Sequence, residues 1–210
     1  MSRKKREEEL RRAIIVEEAE LLFFEQGFEN TTMDQVAKKA ELSKKTLYKL
    51  YSSKNQLKLE IVRKGFGIVN HILKDSDTKT ENGLERLISA GKKYREFAEL
   101  YPNYHRFITM YQTMEDDFQN PDPITMSCYE EGDITLDHFQ EIIEEGIKDG
   151  SIKPEIKVKQ TVLLVWSSFT GLSILYQMKE NFLTNRFETN IDEAFDTMLE
   201  FIKMGVESEA

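Results

Sequence analysis

Residues 31–57, TTMDQVAKKAELSKKTLYKLYSSKNQL, decide how the rest of the chain is read. Thr32 is followed by Gln35 at the spacing in which each side chain satisfies a backbone N–H that the first helical turn leaves open. A helix is therefore expected to start behind Thr32. Met33, Val36, Ala37 and Ala40 then recur at the i, i+3, i+4, i+7 spacing of one buried face, with Lys38 and Lys39 left outside. Glu41 and Leu42 make a turn, and Ser43 has the chemistry of a cap for a second short helix. At about 100° per residue, Leu47, Leu50 and Tyr51 fall on the inner side of that helix and Lys44, Lys45, Tyr48 and Lys49 on the outer side. Ser53 with Gln56 repeats the capping pattern and starts a further helix, with Lys54 in its first turn.

Charge points the same way. A cation in a first helical turn opposes the helix dipole, and a bound phosphate would resolve the conflict at Lys54. Residues 38–64 hold nine Lys or Arg against two acids, a local balance of +7 in a chain of net charge −9. Basic helix faces are commonly just solvated. Here Tyr48 stands among the lysines, Ser43 and Thr46 lie at the helix start, and two capped helices meet at a tight turn. That combination suits entry into a major groove, where long donors reach base edges while hydroxyls and cations hold phosphates.

The segment resembles the headpiece of the TetR family of prokaryotic transcriptional regulators. The likeness rests on Phe24, Glu25, Gly27 and Phe28, on Thr31, Thr32, Val36, Ala37 and Ala40, on Leu42, Ser43, Thr46, Leu47 and Tyr48, and on Tyr51, Ser53, Lys54 and Leu57, in order and at constant spacing. The resemblance implies phosphate contacts for Thr32, Thr46, Tyr48 and Lys54, and places Lys44, Lys45 and Lys49 near bases or backbone. Two residues depart from the family pattern. Glu41 stands where the family usually has Gly, so the backbone there is either left-handed or follows a different turn. Lys45 stands where a small residue is common and could add a base contact of its own.

The 210-residue chain has room for a small headpiece and a larger body. Gly and Pro are scarce, all four Pro lie between helical patterns, and no convincing run of strict alternation appears, so the expected fold class is all-α: a three-helix helix-turn-helix headpiece over 1–53 and a helical body over 54–210. Body helices are expected over about 54–73, 83–100, 103–114, 124–148 with an interruption at Gly132, 156–179 and 191–206, with a polar break at 75–82 and connections at FQNPDP and KDGSIKP. Residues 1–75 carry net +4 and residues 76–210 net −13, a division that would orient the protein on DNA. The start, MSRKKREEELRR, reads as a frayed solvated tail or, less simply, as a basic arm through residues 3–6.

The helix at 156–179 is apolar most of the way round, and that at 191–206 carries one apolar stripe. The resemblance implies that these two pack against their counterparts in a homodimer, with Val162, Val165, Phe169, Leu172, Phe195, Met198, Leu199 and Ile202 as candidate interface. Both stripes could instead be intrachain core. Tyr94, Phe97, Tyr104, Phe107, Met110, Tyr111, Met114, Tyr129, Trp166 and Phe169 form an aromatic and Met-rich set that reads as core by composition and as an effector pocket by resemblance. The effector would be small and largely hydrophobic; Arg106 could pair with an anionic one or with a body acid, and the acidic body leaves planar cations open.

His71, His105 and His138 are dispersed without metal-ligand spacing, no Gly-rich phosphate loop occurs and no nucleophile constellation stands out. Neither an enzyme nor a bound cofactor or metal is expected. Cys128 is the single cysteine, beside Glu130 and Glu131, and fits a buried thiol in a reducing cytoplasm better than a redox sensor. The apolar stretch at 161–175 is short of the ~20 residues that span a bilayer, and no secretion signal opens the chain. The expectation is a cytoplasmic regulator of double-stranded DNA without a membrane partner, and the competing reading is an architectural DNA-binding protein with no small ligand.

Overall fold

The computed structural model describes residues 2–75, 82–113 and 121–208, and among them the regular elements are helices. They are α1 (Arg3–Gln26), α2 (Met33–Lys39), α3 (Lys44–Leu50), α4 (Lys54–Asp75), α5 (Gly83–Leu100), α6 (Pro102–Gln112), α7 (Pro123–Asp149), α8 (Val158–Phe187) and α9 (Ile191–Val206). A lone antiparallel bridge joins Ile152 to Glu207. The chain divides into two compact units.

The first unit holds residues up to 64 together with the start of α7 to Tyr129. Ser2 caps α1, so the charge-rich start, expected to be frayed, is helical from Arg3. The reason is local: Ser2 accepts from the Lys5 N–H, and Arg3 pairs with Glu7 one turn on. Ile15, Val16, Ala19 and Phe23 form the buried stripe of α1, and Gly27, at φ 87°, ends the helix in a conformation that favours glycine. Val36, Leu47, Tyr51 and Leu57 complete a core shared by α1 to α4. Asp122 caps α7 by accepting from the backbone N–H of Ile124 at 3.0 Å and from the Thr125 hydroxyl at 2.7 Å.

The second unit holds the rest of α4 and α7 with α5, α6, α8 and α9. Its centre is a stack of rings: Phe169 lies 5.4 Å from Tyr94, 5.3 Å from Phe195 and 5.9 Å edge-on from Phe139. Gly83 opens α5 against the backbone of Gly146 in α7, where a Cβ would collide with main chain. Pro102 starts α6 at the position where its missing N–H costs nothing.

Three helix boundaries differ from expectation. α7 runs through Gly132 without a break, because the missing side chain there faces the Phe66 ring. α8 passes Lys179, the expected end, and continues to Phe187; Lys179 itself is kinked at φ −140°. With that extension α8 reaches the length and apolar content of a membrane span, unlike the shorter stretch expected from sequence. Its apolar side chains are divided between the body core and an exposed face. The expected break at 75–82 and the end of the 103–114 helix fall largely outside the described residues.

Candidate nucleic-acid interface and body sites

α2 begins with a complete capping box: the Gln35 N–H donates to Thr32 Oγ1 at 3.3 Å and the Thr32 N–H to Gln35 Oε1 at 2.7 Å. Behind it, buried Thr31 donates to the Gly27 carbonyl at 2.9 Å and so anchors the α1–α2 loop. α2 ends with the N–H of Leu42 on the Ala37 carbonyl at 2.9 Å and that of Glu41 on the Lys38 carbonyl at 3.2 Å. That pair of bonds is a Schellman closure, and Glu41 takes its left-handed position at φ 54°. Ser43 then caps α3 by accepting from the Thr46 N–H at 3.1 Å, with the two hydroxyls 2.8 Å apart.

α3 buries Leu47 and Leu50 and turns Lys44, Lys45, Tyr48 and Lys49 to the outside; Tyr48 is half exposed. Lys44 pairs with Asp34 across the turn. Arg12, which the sequence gave no reason to connect with this site, donates to the Leu50 carbonyl at 2.9 Å and lies over the Tyr51 ring. A guanidinium there satisfies an open carbonyl at the negative end of α3. The Tyr51 hydroxyl donates to Glu60 at 3.1 Å, and burial followed by the Glu60 charge pushes its pKa up to about 12.

Two points of the charge argument need correction. Lys54 donates to the carbonyls of Phe28 at 2.6 Å and Glu29 at 3.3 Å and sits over the Phe28 ring, so two carbonyls and a ring face already offset the charge that a phosphate was invoked to neutralise. The local balance of +7 also overstates the surface. Lys58 is buried over the same ring, its pKa lowered by burial, with Glu29 opposing and Lys54 adding to the shift. Lys64 pairs with Glu20 and Arg63 with Glu60. The exposed cations of the stretch are Lys38, Lys39, Lys44, Lys45 and Lys49, gathered on α2 and α3.

In the body, Tyr94, Phe97, Phe107 and Phe169 of the pocket set are fully buried core, while Tyr104, Met110, Tyr111 and Trp166 are partly exposed. Tyr129 belongs to the first unit, and Met114 lies outside the described residues. A cleft of about 300 Å³ is bordered by Arg95, Asn103, His105, Arg106, Ser173 and Gln177. His105 is buried, and burial with the nearby Arg95 charge lowers its pKa to about 4. Among the described residues no group of three metal-ligating side chains occurs.

The interface set splits. Val162, Val165, Phe169, Phe195 and Leu199 are covered by their own chain and offer nothing to a second one, because α5, α7 and α9 close over that side of α8. Leu172, Met198 and Ile202 instead line an open groove of about 830 Å³ between α8 and α9, with Leu164 and Phe201. Leu164, Leu175, Met178 and Phe182 of α8 and Phe201 and Met204 of α9 are half or more exposed. Along α8, residues 164, 168, 171, 175, 178 and 182 alternate by four and three, the spacing of a helix–helix seam.

Residues 15–61 match the family described as bacterial regulatory proteins, tetR family. The HTH-type transcriptional regulator YhgD of Bacillus subtilis strain 168 is 29% identical over 160 residues, 69% of this chain and 73% of that protein. IcaR of Staphylococcus aureus strain Newman, the HTH-type negative transcriptional regulator of the biofilm operon icaADBC, is 21% identical over 90% of this chain and 97% of its own. Among solved structures, the transcriptional regulator FadR of Bacillus subtilis in complex with stearoyl-CoA superposes with a TM-score of 0.70 at 15% identity, over 93% of this chain and 99% of that one.

Proposed function

This chain is a transcriptional regulator of the TetR family, and from that premise we propose that it is a homodimeric repressor of a palindromic operator, released by a small, largely hydrophobic effector. The observation that carries the reading is the α3 face: three lysines and Tyr48, set outward by the Ser43 cap and the Schellman closure at Glu41. Thr32, Ser43, Thr46, Tyr48 and Lys54 position the headpiece on phosphates, and Lys44, Lys45 and Lys49 reach bases or backbone. Residues 1–53 serve as the DNA-binding domain and 54–210 as the effector and dimerisation domain.

A second copy covers the exposed face of α8 and α9. An uncovered stripe from Leu164 to Phe182, continued by Phe201 and Met204, is larger than the scattered apolar residues of a monomer surface. A dimer also presents two α3 helices to half-sites about one DNA turn apart, which one short reader needs for tight binding. An effector would act by its differential affinity for two reader spacings. The stearoyl-CoA bound to FadR and the negative regulation named for IcaR support an effector-released repressor. Such a protein works on chromosomal DNA in the cytoplasm, without a membrane partner.

The first test is selection of fragments from the source genome by the purified protein at fixed salt. Enrichment of a two-fold symmetric site supports the dimeric reader, and recovery of an asymmetric single half-site overturns it. The full burial of four pocket candidates favours a second reading, a regulator with a filled body and no small ligand. Release of the selected fragment by any small compound decides against that reading.

A further inference from the structure

Three polar atoms in the body are enclosed by protein without a hydrogen-bond partner: the Tyr94 hydroxyl, His105 Nε2 and the Thr170 hydroxyl. Tyr94 is fully buried, and His105 and Thr170 are 5% and 9% exposed. Buried polar groups are nearly always paired, so three orphans in one region ask for an explanation.

They share one seam. The Tyr94 ring packs edge-on against the His105 imidazole at 5.7 Å and against Trp166 at 5.6 Å, and it stacks on Phe169. Thr170 follows Phe169 directly and lies one turn beyond Trp166, over the same patch of α8. Farther along that face Gln177 crosses to α6. Its Oε1 accepts from the Thr109 hydroxyl at 2.9 Å, so its amide nitrogen faces His105 Nδ1 at 3.0 Å. With Nδ1 accepting, the neutral imidazole carries its hydrogen on Nε2, and that donor has no acceptor.

The cleft of about 300 Å³ opens on this seam at His105, Ser173 and Gln177. Two guanidiniums border it. Arg95 is committed to Glu99 and Asp192, whereas the recorded partner of Arg106 is the neutral Asn103 side chain at 3.0 Å. The lining therefore combines neutral donors with a guanidinium that lacks a carboxylate among the described residues. An amine would find no counter-charge there. A carboxylate would find both a charge partner and donors for its oxygens.

We propose that this seam binds the carboxylate of a small aliphatic acid, with Arg106 pairing the charge, His105 Nε2–H and the Tyr94 hydroxyl donating to the head oxygens, and the tail lying against Trp166. The proposal rests on the reading of the body as an effector-binding module and names the class of effector. The cleft volume is at the low end for ligand sites, which limits the acid to a short or medium chain.

Trp166 is the single tryptophan of the chain and lies beside Tyr94, so its fluorescence reports on the seam. The full chain is titrated with butyrate, hexanoate and octanoate, and with hexanamide and hexylamine. A saturable change with hexanoate or octanoate, on the order of tenfold weaker with hexanamide, is expected. Tyr94→Phe and Arg106→Gln should each weaken hexanoate about tenfold, Arg106→Gln leaving hexanamide unchanged. Because Tyr94→Phe removes an unpaired buried hydroxyl, the unliganded variant should melt no lower than the parent, which separates lost binding from lost folding. Equal affinity for acid and amide, no saturable change, or parental affinity in both variants overturns the proposal. Release of the selected DNA fragment is measured in parallel. Release by stearoyl-CoA without binding of any acid overturns the carboxylate seam and leaves an effector-released regulator standing. Acid binding that leaves DNA affinity unchanged supports the seam and overturns the regulatory reading.

Discussion

Glu41 shows how one backbone position carries a motif. Its φ of 54° is the left-handed value that lets Leu42 and Glu41 return their N–H groups to α2, and the side chain pays a steric cost that glycine would not. Glu41→Gly is expected to stabilise the chain by about 1 kcal/mol, read as a rise in Tm; an unchanged or lower Tm would mean that the looser unfolded chain outweighs the relief of strain. Lys54 and Lys49 separate two kinds of cation. Lys54 is tied to two carbonyls, so Lys54→Ala should cost about 1 kcal/mol of stability as well as DNA affinity. Lys49 is exposed, and Lys49→Ala should leave Tm alone while lowering the slope of log K against log salt by about 1. A parental slope for Lys49→Ala would remove it from the DNA face.

At the scale of elements, what could be read in advance was set by how local the determining physics is. The starts of α2, α3, α5 and α9 follow from a side chain and a backbone N–H within three residues of each other, so Thr32, Ser43, Asn82 and Asn190 announce them. The partition of α8 is not local. A helix apolar on most sides does not say which side meets its own body, and only the packing of Phe169 on Tyr94, Phe139 and Phe195 decides it. Arg12 reaching Leu50 is equally invisible, since nothing in the sequence brings residues so far apart together. The partition yields opposite outcomes for two phenylalanines of α9. Phe195 is stacked inside, so Phe195→Glu should cost more than about 3 kcal/mol and abolish the folded body, seen as lost helical signal. Phe201 is 66% exposed, so Phe201→Glu should keep the helical signal and shift sedimentation to the monomer. A folded, still dimeric Phe201→Glu would place the interface elsewhere.

For the whole molecule, acid is the informative perturbation, because groups of opposite sign respond in different windows. His105 is held neutral in the fold with its pKa lowered to about 4, against about 6.5 in an open chain. Between those values the unfolded chain binds the extra proton, so stability is full above about pH 6.5 and falls as the pH drops towards 4, by at most about 3 kcal/mol from this residue. Asp122 and Asp149 respond lower. Burial alone would raise their pKa values, but bonds from Thr125 and the Ile124 N–H to Asp122, and from Ser151 and the Gly83 N–H to Asp149, outweigh it and hold both below the usual carboxylate range. Their contribution is intact at pH 4 and is lost only as the pH falls further. Urea unfolding at a series of pH values should therefore show a stability loss between pH 6.5 and 4 that is shallower in His105→Gln, with the steeper loss below pH 4 common to both proteins. Parallel curves from pH 6.5 to 4 would mean that the imidazole titrates as it does in water, and the neutral donor at Nε2 on which the carboxylate seam depends would go with it.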